Sequence, residues 1–127
     1  MQVLHIPPAI ELSNRLIDIL PNHFDKVFFS DDGSTSVEVA IKMALQYWHN
    51  KGFTSKTKII AFENAYHGDT FGAMSAGAKS AFNAAFQQHL FEVYHIPTPN
   101  KNNIEAVKTQ LADLAKDDTI AAFISNP

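Results

Sequence analysis

Asp31, Asp32, Gly33, Ser34 and Thr35 stand in a row just before a long stretch with helical periodicity. Such a row can hold an anion. Gly33 would let a ligand approach the backbone, and Ser34 adds a hydroxyl. The N–H groups of a first helical turn point outward with the helix dipole behind them. The chemistry implied is a cradle for a phosphate. The same residue types also serve helix starts that hold nothing, because the turn and the cap require them on their own account. The sequence has no G-x-x-x-x-G-K-[ST] and no G-x-G-x-x-G, which excludes a P-loop and a dinucleotide fingerprint. A second polar and aromatic group runs from Glu63 to Thr70, E-N-A-Y-H-G-D-T. Tyr66 offers a flat ring to a flat ligand and a hydroxyl as a handle, though a buried loop aromatic reads the same way. His67 reads equally as a hydrogen-bonded loop histidine. His67 and Asp69 give two metal-type ligands without a third, which is poor evidence for a metal.

These groups need elements to position them. Val27 to Phe29 is a short apolar run that reads as a buried strand, broken by turn chemistry at Asp31 to Gly33. Thr35 to Glu38 has the T-x-x-E spacing of a capping box. Val37, Ile41, Leu45 and Trp48 then line one helix face, and Gly52 suits the position just past the helix end. Upstream, residues 1–8 read as irregular or extended. Ala9, Leu12, Leu16 and Leu20 predict a helix over about 9–20.

Further strands are expected at 58–62, 91–96 and 119–125, and short helical turns at 71–76. The short helix would be capped by Asp69 or Thr70. Residues 77–88 fit no element firmly, and Phe82, Phe86 and Phe91 are expected in the core. Asn102 or Asn103 caps a last helix striped by Ile104, Val107, Leu111 and Leu114. Strands alternating with helices predict an α/β fold, a parallel, doubly wound sheet of about four strands.

The 127 residues fit one domain or part of one, and 46% apolar content is ample for a core. Ten basic and thirteen acidic residues give a net charge of −3 with neither sign in a long run, so nothing argues for nucleic acid or membrane as partner. The absence of cysteine excludes disulfides and thiolate metal sites. The first sixteen residues lack a signal-peptide pattern, and a cytoplasmic protein is expected. The chain stops two residues after a strand that should be central, which reads as a truncation.

Four segments together resemble one family. D-D-G-S-T-S-V-E-V-A-I-K-M-A-L-Q-Y-W (31–48) is similar to the phosphate-binding turn and helix of class III aminotransferases, pyridoxal-phosphate enzymes of fold type I. A-Y-H-G-D-T-F-G-A-M-S (65–75) is similar to their second cofactor loop. H-I-P-P-A-I-E-L (5–12) resembles the segment before the large-domain helix, and A-A-F-I-S-N-P (121–127) a strand that usually ends in Glu-Pro. The resemblance implies a fragment of the cofactor-binding large domain over 1–127, with a parallel or mixed sheet sandwiched by helices. It implies amino transfer between small-molecule substrates on pyridoxal 5'-phosphate, in a parent that is a homodimer.

By the same resemblance, Gly33 and Ser34 bind the cofactor phosphate. Tyr66 stacks on the pyridine ring and faces the substrate, and His67 sits beside it. No catalytic residue is assigned. The family's Schiff-base lysine and the aspartate at the pyridine nitrogen fall beyond Pro127, and none of the nine lysines present stands in the family's lysine motif. Asn126 stands where the family usually has Glu. Residues 1–127 alone are therefore expected to be inactive. Two other readings stay open: an α/β module holding a phosphorylated ligand at Gly33-Ser34, and a structural segment with an empty turn.

Overall fold

The computed structural model describes residues 6–125, which divide into two compact units, one up to Ser30 and one from Asp31 on. The expectations for residues 1–5 and for Asn126 lie outside the described residues.

The first unit holds α1, Pro7–Ile19. Its two prolines lie in the first turn, where a missing N–H costs nothing because that donor has no helical partner. Glu11 and Arg15 pair one turn apart on its exposed side. The expected strand at Val27–Phe29 does not form: residues 24–30 are in neither helix nor strand. An apolar, β-favouring run becomes a strand only when another strand accepts its backbone bonds, and among the described residues this one pairs with none. Among the described residues the sheet accordingly has three strands, not four.

The second unit contains α2 (Gly33–Asn50), β1 (Lys58–Phe62), α3 (Phe71–Ala76), a 3-10 turn at Ala84–His89, β2 (Val93–Ile96), α4 (Ile104–Leu114) and β3 (Ile120–Ile124). The strand order is β2-β1-β3 and both pairings are parallel. β1 is central, and Ile59, Ile60 and Ala61 are buried in succession. A continuous apolar run is what a strand covered on both faces demands. On one face Ile60, Ile96 and Val107 of α4 form a core, flanked by Phe62, Tyr94, Leu111, Leu114 and Ile120. On the other, His95 reaches the carbonyls of Ala76 and Gly77 at the end of α3. Trp48 Nε1 donates to the Ala121 carbonyl at 2.7 Å, fixing the far end of α2 to β3.

Four local expectations need correction. The capping box of α2 is Asp32 with Thr35, not Thr35 with Glu38. Thr70 is the N-cap residue of α3, but its side chain makes no cap bond. Asn103 precedes α4 without capping it, because its amide is taken up by Asn100 N–H and the Thr98 carbonyl. Phe82, Phe86 and Phe91 are not core: Phe82 is 97% exposed and the others nearly half. The segment they occupy is a 3-10 turn and loops, which lack an apolar face to bury.

Candidate functional site

The site begins with a helix start that closes on itself. Asp32 Oδ1 accepts from Thr35 N–H at 2.8 Å, and the Thr35 hydroxyl accepts from Asp32 N–H at 3.0 Å. These two reciprocal bonds fix the first turn locally. The Thr35 N–H, then its hydroxyl, hold the Asp32 carboxyl below its ordinary range. Gly33 and Ser34 are the first two residues of α2 as a result.

β1 delivers the second component. Its chain leaves Phe62, turns through Asn64 at φ 63° and reaches Tyr66 to Thr70. That loop lies directly on the start of α2. Ser34 Oγ accepts from Asp69 N–H at 3.1 Å, and the Thr70 hydroxyl donates to the Ser34 carbonyl at 3.4 Å. Gly68 sits at φ +130°, where a Cβ would fall 2.2 Å from Ser34 Oγ and 2.7 Å from Ser34 Cα. Only glycine allows this approach.

The two components enclose one cavity of about 430 Å³, lined by Asp32, Gly33, Ser34, Val37, Tyr66, His67 and Gly68. Gly33, Ser34, Tyr66 and His67, read from sequence as site residues, thus meet in one place. Around Gly33 nothing lies within 4 Å of where a Cβ would stand, so the backbone there is open to an approaching group. Tyr66 is 66% exposed, while its hydroxyl donates to Asp69 Oδ2 at 2.8 Å. That bond, more than any burial, raises the phenol above its ordinary value. His67 is buried, and its Nε2 has no hydrogen-bond partner among the described residues. Burial, then the neighbouring His95, lower its pKa, so the ring is neutral at pH 7.

A further residue has a task other than the helix cap its spacing suggested. Glu38, one turn along α2 from Ser34, reaches across to α3. Its Oε1 accepts from the N–H groups of both Gly72 and Ala73, the latter at 3.1 Å. Partial burial works to raise this carboxyl, but the Thr70 hydroxyl and the two N–H groups outweigh it and hold it below its ordinary value. No sequence spacing signals the contact, since the partners lie 34 and 35 residues away.

What the arrangement can do is bind a flat, phosphate-bearing molecule: an anion at the start of α2 and a ring against Tyr66. Known proteins share this chain's sequence and fold. The family model for aminotransferase class-III matches residues 1–127. The adenosylmethionine-8-amino-7-oxononanoate aminotransferase of Synechococcus elongatus is 58% identical over 92 residues, 72% of this chain and 22% of that one. The enzyme of the same name from Staphylococcus aureus is 40% identical over 134 residues, covering 94% of this chain and 30% of that one. The crystal structure of the Methanocaldococcus jannaschii enzyme of that name superposes with a TM-score of 0.85 at 38% identity, over 94% of this chain and 27% of that one. An amine transaminase from an uncultivated Pseudomonas species, crystallised in a PLP-bound form, superposes with a TM-score of 0.83 at 29% identity, over 98% and 32%. The chain spans between about a fifth and a third of the length of these relatives.

Proposed function

The chain belongs to the class-III aminotransferase family, and on that premise we propose that it forms part of the cofactor-binding large domain of a pyridoxal-phosphate-dependent enzyme. The reaction is amino transfer to 8-amino-7-oxononanoate with S-adenosylmethionine as donor, in biotin biosynthesis. The relatives' shared name, which contains both compounds, supports the substrate and the donor reading. The parent is read as a cytoplasmic homodimer. No helix among the described residues is long and apolar enough to cross a membrane.

One observation carries the reading: Ser34, Tyr66 and His67 line a single cavity at the start of α2, beside the open backbone of Gly33. The residues present fit the cofactor. Gly33 and Ser34 would hold the phosphate by the helix start, where an anion is favoured. Tyr66 would lie against the ring and present its edge to the substrate. His67 is a neutral, buried neighbour of the same cavity. Bound pyridoxal phosphate supplies an electron sink and an amine carrier. The chain's part is to orient the ring and screen it on the Tyr66 side.

The test is cofactor binding and amino transfer by the full-length protein that carries this segment, with Ser34→Ala and Tyr66→Ala beside it. Binding of pyridoxal phosphate, read by visible absorbance, is expected to weaken about tenfold or more in each variant, since each removes a contact made directly to the cofactor. A wild-type protein that binds no pyridoxal phosphate would refute the reading.

A further inference from the structure

Between the two components of the cavity stands a residue that lines none of it. We propose that Glu38 is a positioning residue of the cofactor site. Its carboxylate, projecting from the second turn of α2, caps α3 and so holds the Tyr66–Asp69 loop against Ser34. The inference deepens the pyridoxal-phosphate reading and rests on it.

Three observations carry it. First, α3 has six residues and its own N-cap residue, Thr70, gives it no side-chain cap. A helix that short does not hold itself, because nucleation is unfavourable and few bonds repay it. The Gly72 and Ala73 N–H groups at its start are satisfied by Glu38 instead. Second, the approach is close: a Cβ at residue 72 would lie 2.4 Å from Glu38 Oε2, so a side chain there would push the carboxylate from its place. Gly72 is buried within that approach. Third, Ser34 and Glu38 are four residues apart, so they share one face of α2. The same face thus meets the loop at Gly68 and the helix behind it at Gly72. Beside Glu38, the Asp69 N–H and the Thr70 hydroxyl tie the loop to Ser34 of α2, at 3.1 and 3.4 Å. A mere local cap is excluded, because Asp32 and Thr35 already close the start of α2.

The experiment uses the full-length protein with Glu38→Ala, Glu38→Gln, Gly72→Ala and the double variant E38A/G72A. Amide hydrogen exchange is measured without cofactor, and pyridoxal-phosphate affinity by absorbance titration. In E38A, exchange across residues 66–73 should rise about tenfold while the rest of α2 is unchanged, and affinity should fall about tenfold, the equivalent of losing charge-assisted bonds to two amides. E38Q keeps an acceptor of the same shape and should return affinity to within about threefold of wild type. A residue that only added general stability would not show this rescue confined to the loop. G72A should resemble E38A, and adding it to E38A should cost little more, because the clash and the contact are one. Unchanged exchange at 66–73 in E38A overturns the proposal. So does loosened exchange with unchanged affinity. Should E38A fail to fold, E38Q and G72A decide the matter: wild-type exchange and affinity in G72A would overturn it. A wild type that binds no cofactor refutes the functional reading instead, and the exchange data still report whether Glu38 holds the loop.

Discussion

The two helices that meet at the cavity begin in opposite ways. α2 is capped from within its own first turn, by Asp32 and Thr35 three residues apart. α3 is capped by Glu38, on a different helix and 34 residues away. A local cap forms wherever its few residues adopt the right dihedrals. A remote cap exists only when two elements have already come together. The α2 side of the cavity is therefore built into one short segment, whereas the Tyr66 side is conditional on packing. Conditional elements are the ones that open first in a native protein.

The contrast can be broken at the point of closest approach. Gly68→Ala should have the largest effect, about 3 kcal/mol or more of stability, because it adds both strain at φ +130° and a clash with Ser34. Chemical denaturation measures it, and a loss below about 1 kcal/mol would mean the loop can move off Ser34 freely. Glu38→Ala comes next, at about 2 kcal/mol, since it strips two amides of a partly buried charged acceptor. Asp32→Ala should do least among the caps. Asp32 is exposed, and the expected outcome is about threefold faster exchange confined to the first turn of α2. Equal effects of D32A and E38A on the 66–73 loop would dissolve the distinction between the two starts.

The smallest effect sharpens it by pH. The folded Glu38 carboxyl is held below its ordinary value of 4.5. The folded state therefore binds this proton less readily than the unfolded one. Its contribution is present above pH 4.5 and is lost as the pH falls through 4.5 toward the lower folded value. Thermal melts from about pH 6 down to pH 3 should show a steeper loss in wild type than in Glu38→Gln, which cannot titrate. Parallel curves would show that Glu38 carries no differential charge.

How much of this was legible follows from the range of each interaction. Gly33, Ser34, Tyr66 and His67 could be singled out because turn chemistry and helix-start chemistry are written in neighbouring residues. The apolar stripe of α4 and the continuous apolar run of β1 were legible for the same reason. Val27 to Phe29 misled, since its composition favours a strand but it pairs with no strand among the described residues. Phe82 misled in the opposite sense, being apolar yet 97% exposed. Glu38 was noticed at the right position with the wrong task. Its spacing from Thr35 matched a cap for its own helix, and only the neighbouring helix reveals the amides it serves.

By itself the sequence determined the α/β alternation, the start of α2 at the Asp32–Thr35 turn and the family to which these motifs belong. Those depend on periods of two and 3.6 residues and on bonds that close within one turn. The tertiary structure alone decided that Ser34 and Tyr66 share one cavity, that Gly68 must lack a side chain because Ser34 lies against it, and that Glu38 ends one helix's work by starting another's. Each is a contact between segments more than thirty residues apart, and nothing in local propensity encodes a distance that chain folding must first close.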